Sequence, residues 1–356
     1  MRSCRYDWLS QVVVNWGNYI DICQRGRASM TSIVSSLSIK QINNLSTTTI
    51  SKLTTADVNA LSSTQIAALS SSQIGALQTD VIGQLDSDDI KVISAKAIVG
   101  LTVEQIEVLS SAQTVALSST QISKLYSEQL EAFTSDNIAA LTVDQVGSLT
   151  SVQLKTLNSD ELNSFTTDEI AALSAKSLGG LTTDALAGLG TDKVAVLTTG
   201  QLVTLTSAQL GTLSSDQVGS LTTNQITALT AKQISALTTD SLAGLTTLQV
   251  TKLSNTQLSN LTTAQLDAFS TDNTAALTSA QVGALTSAQL KTLNSDELNS
   301  FTTDEIAALS VKSLGGLTTD TLSGLTTTNI GAFTDAQIKA FNSEQVSVVI
   351  AAYNEQ

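Results

Sequence analysis

From Leu37 onward the sequence can be cut every eight residues without an insertion or a deletion, giving forty octads that end at residue 356. A repeat this short and strict constrains the fold more than composition does, because every unit must bury the same few side chains in the same way. The consensus is L-[ST]-[ST]-x-Q-[ILV]-x-x, with Ala, Gly, Ser and Thr common at the last two places. The first place holds Leu45, Leu53, Leu61, Leu69 and Leu77, with Ile93 and Val349 as aliphatic variants. Phe133, Phe165, Phe269, Phe301, Phe333 and Phe341 are its aromatic variants. The sixth place holds Ile42, Ile50, Val58, Ile66, Ile74 and their successors, and Thr114 and Thr274 interrupt that column.

One string is kept twice. "LNSDELNSFTTDEIAALS" runs from Leu157 to Ser174 and again from Leu293 to Ser310, 136 residues or seventeen octads later. The match extends from Leu149–Leu189 to Leu285–Leu325 with 37 of 41 positions identical, as a block duplicated within the gene would be. An odd number of octads argues that single octads are geometrically equivalent, since a sixteen-residue hairpin unit would put every copy in the wrong half.

The first hydroxyl of each octad stands three residues before Gln, which is the capping-box pattern. Its oxygen can accept the backbone N–H at Gln while the Gln side chain reaches back. Asp or Glu often follows the second hydroxyl residue, inside the first turn, where the helix dipole favours negative charge. The sixth place and the next Leu lie three residues apart and so share a helix face. The expectation is an all-α solenoid with one short capped helix per octad. A single unbroken helix is disfavoured, because eight residues overshoot two turns by about 80° and would wind the apolar stripe around the axis.

The alternative is a β-solenoid, since Thr, Ile and Val suit strands. Against it, the two inward places are five and three residues apart, which breaks strand parity unless every coil has a corner. One octad cannot bury enough to fold alone, so stability has to come from stacked neighbours. Small residues at the seventh and eighth places, such as Gly75, Gly83, Gly147, Gly179 and Gly180, would let adjacent turns approach closely.

Residues 1–36 form a separate head, and 37–356 the solenoid. The head holds Cys4, Cys23, Trp8, Trp16 and Tyr19 and all four arginines, Arg2, Arg5, Arg25 and Arg27. It reads as a cover for the first octads or as a docking segment for a partner, and its two cysteines as free or structural thiols. At the other end, "VSVVIAAYNEQ" reads as a second cover or a continuation. The net charge of −14 disfavours nucleic acid, whose binding needs clustered Lys and Arg. No apolar run reaches the length of a membrane span.

No catalytic, cofactor-binding or metal-binding residue can be assigned. The chain has no His and therefore no usual triad base. Its Ser and Thr fall on cap positions. The adjacent acids Asp160 and Glu161, and Asp296 and Glu297, point in different directions on a helix and read as solvated first turns. Asp86, Asp88 and Asp89 form the densest acidic cluster but lack the spacing and closing Glu of a calcium loop. The expectation is therefore no enzyme and no cofactor.

Strings such as "LSSTQIAAL", "LTTNQITALTAKQISAL" and "LTSAQVGALTSAQL" resemble the octapeptide arrays of very large bacterial proteins often labelled as haem-utilisation or adhesion proteins. The resemblance covers residues 37–356 and implies a cell-surface or exported location. With no His and only Met1 and Met30, the usual axial haem ligands are nearly lacking. The expected role is a structural spacer, stalk or filament-forming element, with head-to-tail self-association as its natural extension. The alternative is a binding module that uses the solenoid face for a peptide, a glycan or ice.

Overall fold

The computed structural model describes residues 33–354. Among them every regular element is a helix, most of four to six residues, and none is a strand, so the β-solenoid alternative falls away. The chain divides into two compact units, Met1–Ala140 and Leu141–Gln356, and the division falls between two octads.

The octad dictates where each helix starts and stops. At helix Thr223–Ala228, Thr222 is the N-cap in an extended conformation (φ −72°, ψ 158°), and its Oγ1 accepts the Gln225 N–H at 3.2 Å. Leu229 closes the helix in the same extended region (φ −63°, ψ 138°). Two extended residues per octad, the Leu and the hydroxyl residue after it, turn the chain and begin the next helix. The pattern survives even where the cap chemistry is altered, as in helix Thr79–Gly83, whose N-cap Gln78 makes no side-chain cap.

Inside each unit the helices stack in coils. Helix Thr47–Ile50 packs on Ser71–Ala76 in the first unit, and Val143–Gly147 packs on Thr167–Ala172 in the second, three octads further on in both cases. The first and sixth places form the core: Ile74, Ile106, Leu202 and Val250 are wholly buried, and Leu141 and Leu149 almost so. Burying these two columns, at roughly 1.5–3 kcal/mol per large aliphatic side chain, is the main stabilising term.

Close approach of successive coils depends on the small eighth place. A Cβ on Gly180 would sit 1.9 Å from the Ser151 carbonyl oxygen, and one on Gly316 would meet Ser287 at the same distance. Glycine is required there to let the backbones touch. Gly179 and Gly315, one place earlier, have open space around them.

The last described element is different. Ile350 stands where a hydroxyl would start a new cap, so the helix runs on from Ser343 to Asn354, twelve residues, and packs on Thr319–Ser323. Phe333 and Phe341 meet edge to face beneath it, with ring centroids 5.1 Å apart.

Candidate functional site

The feature that recurs through the array is the glutamine of the fifth place, buried in nearly every octad that has it. Its carboxamide serves two helices at once. In Gln217, Oε1 accepts the N–H of the N-cap Ser214 at 2.8 Å, completing the capping box. Its Nε2 donates to the main-chain carbonyls of Leu189 at 2.7 Å and Leu186 at 3.0 Å, 28 and 31 residues back. Gln105 does the same in the first unit, with Thr102 at 2.8 Å, Leu77 at 2.7 Å and Ile74 at 3.2 Å.

The reason is geometric. The carbonyl of the first-place Leu precedes the N-cap and has no helical donor, yet the residue is buried. Such a group needs a partner from elsewhere in the fold. A glutamine in the next coil is long enough to reach it while still closing its own helix. Twenty-eight residues are three and a half octads, so successive coils are out of phase by half a repeat. Every octad then meets the same environment, which explains why a shift of an odd number of octads is tolerated.

Other fifth-place residues show what the ladder needs. Asn137 and Asn273 keep the inter-coil bond, donating to Leu109 and Leu245 at 2.9 and 2.8 Å. Ser241 reaches the Leu213 carbonyl directly. Glutamate keeps only the capping half: Glu169 and Glu305 accept the N–H of Thr166 and Thr302 but, as carboxylates, cannot donate.

Each duplicated block carries a run of four such fifth places. Within the second unit the fifth places run Glu161, Glu169, Ser177 and Ala185 in the first copy, and Glu297, Glu305, Ser313 and Thr321 in the second. A different tie, from a seventh-place asparagine, joins the coils there. Asn163 donates to the Gly188 carbonyl at 2.9 Å and accepts the Gly190 N–H at 2.8 Å. Asn299 repeats this with Gly324 at 2.9 Å and Thr326 at 3.0 Å. One of the four differences between the copies, Ala185 against Thr321, bears on the ladder itself, because Thr321 Oγ1 donates to the Leu293 carbonyl at 3.0 Å.

The acidic residues gather no chemistry. Glu161 and Glu297 accept the backbone N–H of Asn158 and Asn294, both at 2.8 Å, while Asp160 and Asp296 face solvent. Asp86 caps its helix through the Asp89 N–H at 2.8 Å, and Asp88 pairs with Lys91 at 3.2 Å. Burial, then the charge of Asp86, pushes the Asp89 carboxyl above the usual carboxylate range. Among the described residues no three His, Cys, Asp or Glu side chains come together as metal ligands. A groove of about 870 Å³ beside Ser215, Asp216, Gly219, Asp240 and Gly244 brings together two carboxylates without a nucleophile–base pair. No described helix is long and apolar enough to cross a membrane. Cys4, Cys23, Trp8, Trp16 and the four arginines of the head lie outside the described residues.

The model of the ALTTAQ repeat matches residues 50–86, 82–119, 115–143, 194–231, 250–287 and 279–311, together more than half of the chain. The chain belongs to the ALTTAQ repeat family. The matched segments of the ALTTAQ array contain many of the ladder glutamines, among them Gln65, Gln105, Gln217 and Gln289. Residues 144–193, which hold the first duplicated block and its substituted fifth places, lie between matched segments. No curated protein matches the chain.

Proposed function

We propose that the ALTTAQ array is a non-enzymatic structural element, a spacer or stalk that sets a distance within a bacterial surface or exported protein. The observation that carries this reading is the glutamine ladder. It spends the polar groups of the regular repeat on joining coil to coil, and it gives every octad the same surroundings. Length can therefore change by whole octads, as the block repeated at a spacing of seventeen octads illustrates. The ladder also has a direction, donors facing back and carbonyls facing forward, which suits head-to-tail self-association and filament formation. The adhesion and haem-utilisation labels of similar arrays fit the surface location; the near lack of axial ligands argues against a haem role. On this reading the head serves as a docking segment.

The alternative of a binding module on the solenoid face is weaker, because the first hydroxyl of most octads is committed to its own cap. Thr150, Thr206 and Thr286 each accept the fifth-place N–H, at 3.2–3.3 Å.

The spacer reading is tested inside the second unit. Spin labels at Thr199→Cys and Ser323→Cys, with Cys4 and Cys23 replaced by Ser, report one separation. Duplicating residues 229–284 in tandem adds 56 residues, two coils that preserve the ladder phase. With helices packing about 8–10 Å apart, the label distance is expected to rise by about 16–20 Å. An unchanged distance overturns the spacer reading.

A further inference from the structure

Ser177 occupies a fifth place, yet its hydroxyl donates to the carbonyl of its own N-cap residue, Ser174, at 3.0 Å. The two groups that a glutamine would join there are both without a partner among the described residues. One is the N–H of Ser174. The other is the carbonyl of Leu149, 28 residues back, in a residue only 1% exposed. A cavity of about 400 Å³ lies at this position, lined by Leu149, Thr150, Ser151, Ser174 and Ser177, with Lys176 at its rim. Gly147 also lines it, and Ser177 itself is 4% exposed.

We propose that this cavity binds a small primary carboxamide. The site holds one unpaired donor, the Ser174 N–H, and one acceptor on the buried Leu149, at the places the array elsewhere joins with a carboxamide. At Gln201 the same pair of groups, the Thr198 N–H and the Leu173 carbonyl, is bridged by Oε1 at 2.6 Å and Nε2 at 2.8 Å. A bound amide completes the same two bonds, its oxygen accepting from Ser174 and its NH₂ donating to Leu149. A buried carbonyl left without a donor is costly, which supplies the driving force. Lys176 at the rim favours a ligand that carries a negative charge at its far end. Neither a carboxylate nor a tertiary amide fits, since neither has a donor for Leu149. The second copy repeats the arrangement: Ser313 donates to Ser310 at 3.0 Å, and the Leu285 carbonyl and Ser310 N–H are likewise unpaired.

The test uses the full chain, labelled with ¹⁵N and titrated with propionamide, while the amide resonances of Ser174 and Thr150 are followed. A saturable downfield shift of the Ser174 amide proton is expected, absent with N,N-dimethylpropionamide and absent in S177Q, where the protein supplies its own carboxamide. No saturable shift overturns the proposal. So does the same shift with the dimethyl amide or in S177Q. If S177Q does not fold, S177N replaces it, because Asn137 shows that the shorter carboxamide reaches the equivalent carbonyl.

Discussion

Gln105 and Leu77 lie 28 residues apart in the chain and are joined by a hydrogen bond of 2.7 Å from the carboxamide Nε2 to the main-chain oxygen. Because Oε1 of the same side chain closes the helix of Gln105, one residue couples local to tertiary structure. The Q105A variant is expected to lose about 2–4 kcal/mol, the sum of a lost cap and a buried carbonyl without a donor. Q41A, in which an exposed carboxamide closes its own box and makes no second bond among the described residues, is expected to lose about 1 kcal/mol. Native-state hydrogen exchange of the coils beside each site measures both, and equal losses would contradict the double role.

The two copies of the duplicated block make a natural comparison. Transferring the second copy's hydroxyl into the first, as A185T, should give the Leu157 carbonyl a donor and stabilise the adjoining coil by about 0.5–1.5 kcal/mol. T321A should lose a similar amount from the second copy, where the bond to Leu293 exists. Local exchange rates of residues 157–189 and 293–325 distinguish these outcomes from no effect.

Neighbouring glycines should respond in opposite ways. Gly180→Ala forces a methyl against the Ser151 carbonyl and is expected to cost about 1–3 kcal/mol. Gly179→Ala has open space and a right-handed helical conformation (φ −60°, ψ −14°), so it should be neutral or gain up to about 1 kcal/mol. Thermal melts of the two variants against the parent chain decide the matter.

Asp89 carries a pH dependence whose sign follows from its environment. Burial and the neighbouring Asp86 raise its carboxyl in the folded chain, so the unfolded chain ionises more readily. The contribution is present below the ordinary Asp range, near pH 4, and is lost as pH rises through the raised folded value. D89N removes that loss, and its stability advantage over the parent should grow from acid to neutral pH. The group is only half-buried, so the effect is small. Urea melts at both ends of this window measure it.

Much of this architecture is legible in the octad itself. The hydroxyl three places before Gln gives the cap, and the Leu and Ile columns give the core, because both depend on contacts within eight residues. Gln217 shows where local reading stops. Its bond to Ser214 follows from the capping box, whereas its bond to Leu189 depends on how many octads complete a coil, a property of packing that no single repeat encodes. The same limit applies to Asn163, an unremarked seventh-place residue until the next coil brings Gly188 and Gly190 against it. Ser177 marks a departure from the glutamine pattern that is visible in sequence, but its consequence, a polar cavity beside Leu149, appears only when the coils are stacked.

The most direct test of the ladder is hydrogen exchange of the glutamine side-chain amides, resolved by NMR on the full chain. Buried carboxamides such as Gln217 and Gln249, whose Nε2 donates to Leu221 at 2.6 Å, are expected to exchange orders of magnitude more slowly than the exposed Gln84. Exchange of Gln217 and Gln249 at the rate of Gln84 would contradict the claim that these side chains tie one coil to the next.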